Sequence, residues 1–167
     1  MKLLSLLLSI IAIIGVVILF QKFPINSAPV QPHGVSGNDH EEIELAVVMG
    51  RIQRFHQKFW LSVRAGNTEL TRFYLHELEE GMEEIAEAGV MEDGIDVSAN
   101  MRTYGLKVIE QLEDVLEKEG VKALEQQADL LVNSCNSCHK ASGYGMVMIQ
   151  VPEDVRFPDQ VFDPIAQ

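Results

Sequence analysis

Cys135 and Cys138 are the chain's only cysteines, and they stand in the run Cys135-Asn136-Ser137-Cys138-His139. C-x-x-C-H is the arrangement through which haem is attached covalently to protein. Residues three and four apart share a helix face, so both thiols and the imidazole can address one flat object. The thiols would add across the haem vinyl groups to form thioethers, and His139 would sit beside the iron as an axial ligand. The competing readings fit the residues less well. A C-x-x-C redox pair calls for a βαβ context, which the pattern of this chain lacks, and a structural zinc would need a fourth ligand. One covalent haem c is the expected cofactor.

Something must hold that motif in place. At 167 residues with 47% hydrophobic content, the chain supports one compact domain with a real core. Part of the apolar content lies elsewhere. Leu3 to Phe20 is an uncharged run interrupted by Ser5 and Ser9 and preceded by Lys2, the layout of a secretory signal or an uncleaved membrane anchor over residues 1–22. Ala28 has Asn26 two places before it and Pro29 after it, a poor peptidase junction, so retention and cleavage both stay open. With no cysteine nearby, lipid attachment is excluded. The expected location is the periplasm, where haem of this kind is attached on the outer side of the bacterial inner membrane. Without residues 1–28 the chain carries 25 acidic and 11 basic residues, a net of −14. Such a surface repels nucleic acid and favours basic partners.

Residues 23–39, with Pro24, Pro29, Pro32, Gly34 and Gly37, read as a solvated linker. Four amphipathic stretches then fill residues 40–145. The first runs from about His40 to Ala65, with Glu41, Glu42 and Glu44 in its first turns and Met49, Ile52, Phe59 and Val63 recurring at helical spacing; Gly66 ends it and Asn67 can cap the next. The second covers about Thr68 to Ala88, burying Leu70, Tyr74, Leu78 and Ile85 and turning its glutamates outward. A turn over Gly89 to Ile95 leads to the third, about Val97 to Lys118, whose stripe is Val97, Met101, Tyr104, Val108, Leu112 and Val115. The fourth starts near Val121 and carries Leu124, Ala128 and Leu131 in line with Cys135, Cys138 and His139. No alternating strand pattern competes. The expected fold is all-α, an antiparallel four-helix bundle with haem on the fourth helix, followed by an extended tail over residues 146–167 that packs across its surface.

A haem pentad on the last helix of an exported bundle resembles the class II c-type cytochromes, the cytochrome c-prime family, over about residues 40–145. Only 28 residues follow His139, too few for the class I fold, in which the pentad lies near the N-terminus. The resemblance implies haem held among the helices, the pentad histidine as fifth ligand, and homodimers. Two positions depart from the family pattern. Ser142 and Gly143 stand where members commonly carry an aromatic and a basic residue, and Leu45 stands four before Met49, where low-spin members often show arginine. Arg51 and Arg54 follow Met49 instead, each able to neutralise a haem propionate.

Function turns on the sixth position of the iron. Methionine there gives a six-coordinate haem of raised potential, suited to electron transfer, whereas an apolar residue leaves an open site for nitric oxide or carbon monoxide. Met49 and His56 share one face of the first helix. If the first and fourth helices are antiparallel neighbours, Met49, roughly 13 Å into the first, is nearer the level of His139 than His56, roughly 24 Å in. Met49 is the expected ligand, with His56 as its rival. Met82, Met101, Met146 and Met148 read as core or tail, and Phe55, Phe59, Trp60, Phe73, Tyr74 and Tyr104 are the large residues available to enclose the porphyrin. The expected function is an electron carrier, not an enzyme, working with redox partners whose docking surfaces are basic. The alternative is a five-coordinate protein binding nitric oxide or carbon monoxide.

Overall fold

Gly66 and Gly89 each end a long helix, and the φ angles of +67° and +68° they adopt explain why glycine stands there. In the computed structural model, which describes residues 43–165, α1 spans Leu45–Arg64 and α2 spans Thr68–Glu87. Between them Gly66 donates to the Val63 carbonyl and Asn67 to the Ser62 carbonyl, a Schellman turn. Asn67 then caps α2 by accepting from the Leu70 amide at 3.1 Å, as its position after Gly66 leads one to expect. The two helices pack along their length through Val48, Ile52, Phe59 and Val63 on one and Tyr74, Leu75, Leu78, Met82 and Ile85 on the other.

After Gly89 the chain makes a short hairpin, β1 (Met91–Glu92) against β2 (Ile95–Asp96), with Glu92 opposite Ile95. Asp93 and Gly94 form its two-residue loop, both at positive φ, the conformation that Asp-Gly favours. Ser98 ties the hairpin to α2 by accepting from the Val90 amide at 2.8 Å and donating to the Ile85 carbonyl at 2.6 Å.

The third helical stretch holds a feature that periodicity does not anticipate. It runs as α3 (Val97–Asn100), a π-helical segment (Met101–Leu106) and α4 (Lys107–Lys118). The wider π turn shifts the face presented to the core, so Ile109 and Leu116 are buried where a straight α-helix would have used Val115, and Tyr104 is half-buried. The fourth stretch is also not one helix. α5 (Val121–Glu125) closes with i→i+3 bonds from Gln126 and Gln127, and α6 (Ala128–Ala141) starts afresh. The tight turn lets Leu124 and Leu131 both be fully buried.

α1 begins at Leu45, with Glu44 outside it, about five residues later than its acidic N-terminal run suggested; Glu41 and Glu42 lie outside the described residues. The anchor over residues 1–22 and the linker over 23–39 lie outside them too. The described residues belong to the unit Asp39–Gln167, and none of their helices is long and apolar enough to cross a membrane. They are mostly helical, the two-stranded hairpin aside.

Candidate functional site

Leu131, Cys135 and Cys138 of α6 and its C-cap Ser142 follow at intervals of three or four and form one stripe. Its C-terminal part walls a cavity of about 630 Å³, within the size range of cofactor pockets. Cys135, Cys138 and His139 all line it. So do Met49, Gln53 and His56 of α1, Met82 of α2, and Met101 and Gly105 of the π-helical segment. Tyr144, Val147 and Ile149 of the tail complete the wall. The gap exists partly because Gly105 has no side chain: a Cβ there would lie against the Met101 sulfur and 3.0 Å from that of Met82.

The imidazole of His139 is held from behind. Its Nδ1 lies 2.7 Å from the Val147 carbonyl oxygen, which can only accept, so Nδ1 is the donor, and in the neutral ring the lone pair is then on Nε2. That is the tautomer a metal-ligating histidine needs. The thiols are un-ionised at neutral pH. Burial, reinforced by the neighbouring Cys138, pushes Cys135 up to about 12, and burial also raises Cys138 against the opposing hydrogen bond from Ser142. Ser142 is in turn held by the Asn100 amide at 3.2 Å.

Met49 and His56, the two residues the sequence offers as rival sixth ligands, differ in what already holds them. Met49 is half-buried, and its thioether makes no hydrogen bond among the described residues. His56 is buried, and its Nε2 accepts from the Trp60 indole at 2.9 Å. Burial brings His56 down to about 4, so it is neutral at pH 7. His56 nevertheless lines the cavity beside Met49, although its helical rise set it farther from the level of His139. Because α1 begins at Leu45, Met49 is only roughly 6 Å along it and His56 roughly 16 Å, both within reach of one cavity.

Several expected roles are not met. Arg51 pairs with Glu84 on α2, and Arg54 lies over the Phe157 ring at 5.7 Å; neither lines the cavity, since both sit on other faces of α1 than Met49 and Gln53. Nor do Phe55, Phe59, Trp60, Phe73, Tyr74 or Tyr104 enclose it: Phe59 and Trp60 fill the core between helices, and Phe73 is half exposed. Tyr144 is the large aromatic on the cavity wall, and Met82 and Met101, read as core, form part of that wall. A glycine in the middle of a helical stretch was the available signal for Gly105. For Tyr144, Val147 and Ile149 the sequence carried none.

The donor set fits haem. Two neutral thiols and an imidazole with a bare Nε2 come from one helix, a thioether comes from another, and most of the wall is apolar. No protein-family model matches the sequence, and no curated protein or solved structure does.

Proposed function

We propose that this protein is a periplasmic c-type cytochrome of the class II kind, a four-helix bundle that carries electrons through one haem bound covalently at Cys135 and Cys138. The observation that carries the reading is convergence: both thiols, His139 and Met49 open into the same apolar cavity of about 630 Å³. Haem, when bound, supplies a one-electron iron couple. Everything else falls to the chain. Cys135 and Cys138 would hold the macrocycle through thioethers, and their neutral, raised-pKa state suits that role better than thiolate redox chemistry, which calls for a lowered pKa. His139 would offer Nε2 to the iron. Met49 would be the second ligand, favoured over His56 because the His56 Nε2 lone pair is already taken by Trp60. The apolar wall would keep water from the metal and favour the lower charge of the reduced state.

The partner is a redox protein with a basic docking surface. Exposed Val47, Met91 and Met146 each lie within one residue of the cavity lining, and acidic Glu44 and Glu92 are among the lining residues themselves. Exposed apolar side chains beside negative charge at the cavity suit brief association with a basic surface.

The test is the visible spectrum with and without carbon monoxide. Denatured protein should keep its haem through acidic organic extraction, and Cys135→Ala with Cys138→Ala should lose it. The ferrous wild type should be low-spin and slow to bind carbon monoxide, whereas Met49→Ala should be high-spin and bind it readily. A wild type already high-spin would make this a gas-binding protein instead. A Met49→Ala variant that stays low-spin would remove Met49 as ligand.

A further inference from the structure

The residues after the haem motif return to it. α6 ends in a Schellman turn: Gly143, at φ +83°, donates to the Lys140 carbonyl at 3.4 Å, and Tyr144 donates to the His139 carbonyl at 2.7 Å. A second turn follows, with the Val147 amide donating to the Tyr144 carbonyl at 2.8 Å. The chain is thereby reversed within eight residues, and the Val147 carbonyl meets the His139 ring. Two residues later Asn136, inside the motif itself, grips the same segment through both ends of its amide. Its Nδ2 donates to the Ile149 carbonyl at 2.9 Å, and its Oδ1 accepts from the Ile149 amide at 2.7 Å. One side chain thus imitates a paired strand.

We infer that Asn136 and the segment Tyr144–Ile149 form a positioning clasp for His139, in which the Asn136–Ile149 pair holds the Val147 carbonyl on Nδ1 of the imidazole and so sets how strongly Nε2 donates to iron. The inference rests on the reading of His139 as an axial ligand. Apolar burial does little to keep the carbonyl there, since Val147 is 45% exposed and Met146 and Met148 on either side are more exposed still; beyond the turn at Tyr144–Val147, the Asn136–Ile149 pair is what holds it. In the family resembled, a basic residue commonly stands at the place of Gly143. Here a glycine takes that place, its positive φ turns the chain back, and a neutral acceptor arrives behind the histidine.

A hydrogen bond from Nδ1 to a carbonyl makes Nε2 more electron-rich, and an electron-rich ligand favours ferric over ferrous iron. Asn136 acts through His139, so it is a positioning residue. Releasing it should move the iron couple without removing the haem. Asn136→Ala in the full-length, haem-loaded protein is expected to shift the ferrous-to-ferric ratio at a given potential about tenfold toward ferrous, a rise of ~59 mV for a one-electron couple. Ile149→Pro removes the amide that Oδ1 holds while leaving the Ile149 carbonyl to Nδ2, and should move the potential the same way by a smaller amount. Ser137→Ala removes a hydroxyl that donates to the Asn133 carbonyl within α6 and should leave the potential where it was. The iron–histidine stretch, read by resonance Raman in the ferrous five-coordinate Met49→Ala background, should fall in frequency when Asn136→Ala is added. If both clasp variants keep covalent haem together with the wild-type potential and stretch, the clasp is overturned and histidine ligation stands. Should Asn136→Ala fail to accumulate, a wild-type potential in Ile149→Pro overturns the clasp by itself. A wild type with no covalent haem, or with no iron–histidine signature, defeats the ligation reading and the clasp together.

Discussion

His56 and Trp60 form a buried pair whose chemistry is separable from that of the thiols. The indole donates to Nε2, and desolvation keeps the imidazole neutral down to about pH 4. The folded pKa lies below the ordinary 6.5, so the stabilisation is complete above pH 6.5 and is lost as pH falls through that value toward 4, where the unfolded chain takes up a proton that the folded chain refuses. Across that window His56 should withdraw up to about 3 kcal/mol of stability. Urea denaturation of the wild type at pH 7 and pH 4.5, beside His56→Gln, measures this. Glutamine can still accept from Trp60 but does not titrate, so the variant should lose much less stability on acidification; equal losses would reject the assignment. Trp60→Phe has the opposite chemistry. It leaves Nε2 without its donor and should cost about 1–3 kcal/mol at neutral pH, seen as a lowered denaturation midpoint. Gly143 answers a backbone requirement of its own, a φ of +83° that a residue with a side chain adopts less comfortably.

Among the elements, the π-helical segment has the clearest relation to the site. It brings Met101 and Gly105 to the cavity wall, and π turns recur at functional sites because the extra residue per turn re-aims neighbouring side chains. Gly105→Ala should gain roughly 1 kcal/mol of helix propensity, yet its Cβ would press on the Met101 and Met82 sulfurs. Both thioethers end flexible side chains, and the free volume beside them is the cavity. We therefore expect a thermal midpoint within about 4 °C of the wild type, together with reduced haem content or a displaced Soret band. A Gly105→Ala protein with full haem content and an unaltered spectrum would contradict this. The tail is an element in its own right although it has no regular structure. Arg64 donates to the Pro152 carbonyl at 2.7 Å and Asn67 to the Phe162 carbonyl at 3.0 Å, and Gln160 is bonded to the Tyr74 hydroxyl. The same Asn67 that caps α2 therefore also fastens the far end of the tail.

For the whole molecule the dominant property is charge, −12 over the full chain. Electron transfer to a basic redox protein should accelerate at low ionic strength and slow tenfold or more as salt screens the approach, because the Debye length shortens from about 30 Å at 0.01 M to about 10 Å at 0.1 M. Stopped-flow mixing over that range reads the effect, and a flat salt profile would remove acidity from the account of partner choice. Charge, the pentad and the helical stretches are all local properties, which is why they were legible in the amino-acid order. Glycine at 66 and 89 with Asn67 between marked helix boundaries that the backbone adopts, and the spacing of Cys135, Cys138 and His139 is itself a helical fact. The interruption at Met101–Leu106 was not legible, because six residues are too few for the wider π period to show as a repeat. Nor was the break between α5 and α6. The occupation of Arg51 by Glu84 and of His56 by Trp60 likewise depended on how α1 turns against its neighbours. Least legible of all was the return of Val147 and Ile149 to the C-x-x-C-H motif. That contact joins residues eight to thirteen apart through a left-handed glycine and an amide clasp, and it exists only once α6 has formed to hold both ends. Chemistry written in adjacent residues could be read from order alone, whereas chemistry made by approach required the fold.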